Sequence, residues 1–181
     1  MKRIRLTRKT AFLPFNGCDP DFIKNVCKAR CCHSSVSPTG TLITIHESEV
    51  EGINEMGGVV VDGFLQPNEG EKRCPFKTEE ELCGIHYTDK KPFGCIASPW
   101  KLTSKDTLII RNRYKQFKCF KAGNMLPAYV AFKQGLTHLV GEAEYNKVEE
   151  AFNNGAEEVW LDIPLLPYYM LKDNEEAKKG R

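Results

Sequence analysis

Between Cys74 and Trp100 the chain reads CPFKTEEELCGIHYTDKKPFGCIASPW, three cysteines set among Pro75, Gly84, Pro92, Gly94 and Pro99. A stretch this rich in turn residues cannot run as a long helix or strand, so its hold on one conformation has to come from elsewhere. A second group, Cys27, Cys31 and Cys32, lies upstream, and Cys18 and Cys119 complete the eight cysteines. Thiolate ligands are presented by tight turns, because a small ion gathers its soft donors at about 2.3 Å. Both groups have that setting. Three cysteines do not complete a four-ligand site, so the expectation is a long-range clasp: Cys74, Cys83 and Cys95 close on Cys27, Cys31 and Cys32, with residues 33–73 as the loop between.

Disulfides are the competing use of cysteine. The N-terminal MKRIRLTRKTAFLPF is basic and has no apolar run of signal-peptide length, and nowhere do about 18 apolar residues follow one another. The expectation is therefore a soluble, cytoplasmic chain without membrane contact, whose thiols stay reduced and serve metal or chemistry. With 181 residues and 41% apolar content the chain can bury a core, and a net charge of +2 says little about partners.

The spacing narrows the metal. The paired short Cys-x-x-Cys spacing of a zinc ribbon is absent. Cys31 and Cys32 are adjacent, and neighbouring side chains usually point apart, which suits a cluster of several metal atoms better than one ion. That favours an iron–sulfur cluster, such as 4Fe-4S, over zinc, which stays open as the alternative. The candidate ligands are Cys27, Cys31, Cys32, Cys74, Cys83 and Cys95, followed by Cys18, Cys119 and His86. His86 reads first as packing, then as a hydrogen-bond partner of a ligand, and less readily as a ligand itself; His33, directly after the cysteine pair, is a weaker ligand candidate.

The order Cys27, Cys31-Cys32, Cys74-Pro75-Phe76, Cys83-Gly84-Ile85-His86, Lys91-Pro92, Cys95 and Pro99 resembles the YkgJ-type cysteine-cluster family over residues 18–100. That family is described as a zinc- or iron-chelating domain and includes the N-terminal part of flagellin lysine methylases, which is linked to an iron–sulfur cluster. The spacing before the cysteine pair is one residue longer here, and Ile96 stands where many members carry arginine. The resemblance implies a metal centre and, through the methylases, a role in modifying a macromolecule such as a protein substrate.

Around the cysteines the sequence reads as an α+β chain: a small, irregular metal-stapled domain with short strands and a C-terminal helical pair. A basic arm is expected over residues 1–17, the cysteine-cluster domain over 18–122, a helical segment packed on it over 123–172, and a charged tail over 173–181. Asp19-Pro20 opens a short helix that delivers Cys27. Strands are expected at 41–45, 59–62, 64–65, 106–113 with 114–120 as an extension, and 159–163; helices at 47–56, 127–140 and 142–153. Thr78 and Glu81 suggest one helical turn between Cys74 and Cys83.

One further segment carries chemistry. In RNRYKQFKCFK, residues 111–121, Arg111, Arg113, Lys115 and Lys118 alternate with Tyr114 and Phe117. Charge for phosphate and rings for bases would suit a nucleic-acid strand; the bland reading is a strand whose rings enter the core. Glycine-rich phosphate loops, a serine-nucleophile elbow and a radical-SAM cysteine triplet are absent from the sequence. Two functions follow as expectations: a metal-cluster protein, iron–sulfur in character, that acts in modifying a macromolecule, or a zinc-stapled nucleic-acid-binding module without catalysis. A redox or metal-handling protein with a labile site is a third.

Overall fold

A computed structural model describes residues 1–32, 43–86 and 88–179, with side chains through Lys172. His33 and the first two residues of the stretch expected as a strand at 41–45 lie outside the described residues. In chain order the strands are β1 (Lys2–Thr7), β2 (Pro14–Phe15), β3 (Val60–Val61), β4 (Phe64–Leu65), β5 (Trp100–Leu102), β6 (Thr107–Ile110), β7 (Leu126–Pro127) and β8 (Glu158–Ile163). The α-helices are α1 (Arg8–Ala11), α2 (Pro20–Phe22), α3 (Val50–Glu55), α4 (Phe93–Ile96), α5 (Ala128–Ala131), α6 (Lys133–Val140), α7 (Glu142–Asn153) and α8 (Leu165–Lys179). Short strands and several helices make this an α+β chain. It divides into two compact units, one of Met1–Cys18 with Ile96–Arg181, the other of Asp19–Cys95.

The first unit is built on a four-stranded sheet in the order β5-β6-β1-β8. β1 runs parallel to β6 and antiparallel to β8, with Ile4 opposite Leu161 and Leu6 opposite Val159. The N-terminal residues are thus not an arm: Ile4 and Leu6 are fully buried, and Arg3 and Arg5 alternate with them. The period-2 pattern Arg-Ile-Arg-Leu-Thr carried that information, but its positive charge drew attention instead. Arg3 stacks on Trp160 and Arg5 pairs with Glu158, so the basic residues cover the outer face of the sheet.

α6 and α7 lie against each other, and both contact β8. Val159, Leu161 and Ile163 turn inward from β8, while Leu136, Leu139, Tyr145, Val148 and Phe152 turn inward from the helices. Glu144, at the start of α7, accepts a hydrogen bond from the backbone N–H of Asp162 (2.9 Å) and an ion pair from Lys147, tying helix to strand. Residues 123–172 are therefore part of the first unit's own core, together with β1. The helix expected over 127–140 is broken at Phe132 into α5 and α6, and the expected tail is helical through Lys179.

The second unit has little regular structure. Asp19 caps α2 by accepting from the N–H groups of Asp21 and Phe22 (2.7 and 3.2 Å), as its Asp-Pro start predicts. A π-helical turn, Ile23–Cys27, continues it. β3 and β4 form a hairpin on Asp62-Gly63, both with positive φ, the two-residue turn that fits strand twist. Thr44 bridges to Phe64, so a fragment of the 41–45 strand joins this hairpin. Ile43, Ile45, Ile53, Leu65 and Cys74 form the core, with Cys32 and Cys95 packed against it.

Candidate metal centre

Six of the eight cysteines lie in the second unit, and two short segments bring them together. The upstream segment ends its π-helical turn with Lys28 and Ala29 in the left-handed region (φ 55° and 45°). That double reversal launches a 3-10 turn, Arg30–Cys32, which carries the cysteine pair. The downstream segment is fastened directly to it: the Cys74 N–H donates to the Cys32 carbonyl (2.9 Å). Lys77 then forms a β-bridge with Cys83, so Cys74 and Cys83 sit at the two ends of one tight loop. Thr78 accepts from the Leu82 N–H through its hydroxyl, so the segment between the two cysteines, expected to hold at most one helical turn, is a hydrogen-bonded loop. Cys95 arrives on α4. Gly94 allows that approach, since a Cβ there would lie 2.6 Å from the Thr44 carbonyl oxygen.

The Cys31 and Cys32 sulfurs are 3.9 Å apart. Adjacent side chains were expected to diverge; the 3-10 turn instead brings both to one side. Two thiolates on one tetrahedral ion, each bonded at about 2.3 Å, lie roughly 3.8 Å apart. The pair therefore suits a single ion as well as a cluster, and adjacency no longer argues against zinc. All eight cysteines are among the described residues and none is in a disulfide.

The thiols sense one another. Hydrogen bonding from Cys31, burial, and the neighbouring charges of Cys95 and Cys74 push Cys32 well above its ordinary value. Burial, then Cys74 and Cys83, does the same to Cys95. Burial pushes Cys74 up to about 11 against a backbone hydrogen bond from Phe76. Burial also raises Cys27, with Cys31 adding to it. Cys31, Cys32, Cys74, Cys83 and Cys95 thus share one electrostatic neighbourhood, reached by Cys27 through Cys31. Among the described residues, however, no three His, Cys, Asp or Glu side chains are already gathered tightly enough to hold an ion. The donor set fits a thiophilic metal in its chemistry, and binding would have to draw the sulfurs in and displace their protons.

His86 accepts a hydrogen bond at Nδ1 from the Lys91 ammonium (3.0 Å). Burial, then Lys91, holds its pKa below the ordinary value, so the ring is neutral near pH 7. An ammonium can only donate, so in this metal-free arrangement the ring proton belongs on Nε2. His46 is a helix cap: its Nδ1 accepts from the Ser48 N–H (3.3 Å), and its own N–H donates to Glu49 (2.8 Å).

Lys77 was not singled out from the sequence. Its side chain is only 2% exposed, its ammonium donates to the Lys28 carbonyl (2.7 Å), and it pairs with Glu81 one helical turn's spacing away. The signal in the sequence that could have found it is the four-residue spacing of Lys77 and Glu81.

Cys18 and Cys119 belong to the first unit, where Cys18 is exposed and Cys119 half-buried. The segment 111–121 lies there too, and its expected strand stops at Ile110; Asn112–Gln116 is a 3-10 turn. Tyr114 and Phe117 are 6% and 8% exposed, stacked edge-on at 5.2 Å, and Tyr114 also meets Phe132. Their rings are core and are not presented for base stacking. Lys115 and Lys118 are exposed, and Arg111 and Arg113 half-buried.

Comparison of the chain with protein-family models, with curated proteins and with solved structures gave no match. Among the described residues no helix is long and apolar enough to cross a membrane.

Proposed function

We propose that the second unit is a thiolate metal centre, with Cys31, Cys32, Cys74 and Cys95 as its inner donors and Cys27 and Cys83 beside them. The observation that supports this best is the convergence of two distant segments at their cysteines, fastened by the Cys74-to-Cys32 backbone hydrogen bond. An unstapled loop region does not need its thiols gathered on its core. More than four thiols in one neighbourhood suit an iron–sulfur cluster, in keeping with the resemblance to the YkgJ-type family. The methylase members of that family motivate a role in modifying a macromolecule. The 3.9 Å separation of the Cys31 and Cys32 sulfurs supports the second reading, a single structural zinc.

Protein purified without oxygen should carry stoichiometric iron and sulfide and absorb broadly near 400 nm. Colourless protein with one equivalent of zinc would move the assignment to the second reading. Protein that takes up neither iron nor zinc would remove the metal centre altogether.

A further inference from the structure

A buried ammonium needs a reason. Removing a lysine head group from water costs several kcal/mol unless partners recover it. Lys77 has Glu81 as an ion-pair partner and the Lys28 carbonyl at 2.7 Å. That carbonyl belongs to the left-handed residue between Cys27 and Cys31, the turn that aims the cysteine pair. Lys77 is also in the loop that joins Cys74 to Cys83, three residues from the first and bridged to the second. Its charge is felt at both Cys27 and Cys74. One side chain therefore touches both arms of the clasp and carries a positive charge at the place where thiolates would accumulate negative charge.

We propose that Lys77 is the internal counter-ion and positioning residue of the metal centre: its ammonium offsets the charge that the Cys74 thiolate and its fellow inner donors bring to a bound metal, and its hydrogen bond to Lys28 fixes the turn presenting Cys31 and Cys32. This rests on the second unit being a metal site. Four thiolates on a divalent ion, or on a cluster core of charge +2, leave a net charge of about −2 in a largely buried setting, where an adjacent cation is weakly screened. Glu81 opposes part of that cation. The two side chains therefore act with opposite sign, which a purely structural latch would not do.

The test uses the full chain, freed of metal and titrated with Zn2+ against a competing chelator. Outer groups that support metal ligands typically contribute 10–100-fold in affinity. Lys77→Met should weaken Zn2+ binding by about 10-fold or more. Lys77→Arg, which keeps the charge, should recover part of that loss. Glu81→Gln, which leaves the ammonium less compensated, should bind at least as tightly as the unaltered chain. Equal Zn2+ affinity in Lys77→Met and the unaltered chain would overturn the proposal, as would equal weakening in Lys77→Met and Glu81→Gln. If Lys77→Met does not fold, Lys77→Arg and Glu81→Gln decide it by the same criterion. An unaltered chain that takes up neither Zn2+ nor iron is a different failure, which removes the metal centre itself.

Discussion

The two units solve the problem of folding in opposite ways. In the first, strands alternate buried and exposed residues, and α6 and α7 present apolar faces. Burial of those faces, at about 25 cal/mol per Å2 of apolar surface, drives the unit together without further help. In the second, the elements are two to six residues long and the buried apolar residues among those described are Cys27, Ile43, Ile45, Ile53, Phe64, Leu65, Cys74 and Phe93. That is little apolar burial for a stretch with so much irregular backbone, each residue of which costs about 1–2 kcal/mol of conformational entropy to order. The contrast gives the proposed metal its role: six of the eight thiols sit in the unit with the smaller buried core, where a staple would contribute most.

Loss of a central thiol should separate the units most sharply. Cys74→Ser or Cys95→Ser should drop metal content below one equivalent and destabilise the second unit by more than about 4 kcal/mol, as loss of a metal does. Cys119→Ser, in the first unit, should keep full metal content. Retention of metal and stability by both central variants would mean that the clasp is drawn wrongly.

Alkali and acid should attack different units. Unfolded thiols ionise near pH 8.5, whereas Cys74 in the metal-free fold holds its proton up to about 11 and Cys27, Cys32 and Cys95 are raised too. The folded state then binds more protons than the unfolded one, so stability is full below about pH 8.5 and falls as pH rises toward 11. For Cys74 alone the loss between pH 8 and pH 10 is about 1–2 kcal/mol. Tyr145, raised by burial and by Glu149, brings the first unit into alkaline loss only above about pH 10. On the acid side, Asp106 and Glu144 oppose the raising effect of burial. Hydrogen bonds from Lys172 and Tyr168, and from Lys147 and the Asp162 N–H, hold them below their ordinary values. Their contribution is present above about pH 4 and is lost as pH falls further. Urea midpoints of the metal-free chain, read separately for each unit, should show this order; an alkaline loss confined to the first unit would contradict it.

Two glycines offer a matched pair. A Cβ on Gly94 would lie 2.6 Å from the Thr44 carbonyl oxygen, and one on Gly135 would lie 2.6 Å from that of Ile96. Each alanine should cost about 1–3 kcal/mol through forced backbone movement. Only Gly94→Ala should also speed metal loss to a chelator, because the next residue is Cys95.

An effect of similar size, about 2 kcal/mol, but confined to the first unit and without consequence for metal, is expected for Glu144→Ala, which leaves the Asp162 N–H without its charged acceptor. Thermal melting followed by hydrogen exchange would place that loss at the α7–β8 junction.

What the sequence reveals follows the same division. α7, β8 and the capped start at Asp19-Pro20 are readable because periodicity and capping are local properties. β1 was obscured by its arginines, although Ile4 and Leu6 alternate with them, because charge suggested an arm before period suggested a strand. Tyr114 and Phe117 could be read two ways from their run alone, and the plainer reading, rings in the core, is the one the structure bears out; Phe132, the ring that covers Tyr114, is distant in sequence. In the second unit the cysteines were legible as a group. The common orientation of Cys31 and Cys32 was not, because it depends on the left-handed backbone at Lys28 and Ala29, residues that carry no glycine to announce it. Lys77 was hidden for a similar reason: a lysine in a polar loop reads as solvated until its partners are known.

The most direct test is hydrogen exchange on the full chain with its metal and after chelation, compared peptide by peptide. The expected result is loss of protection across residues 19–95, greatest around Cys27–Cys32 and Cys74–Cys95, while β1, β8 and α7 keep theirs. Unchanged protection in both units after complete metal removal would contradict the claim that metal holds the second unit together.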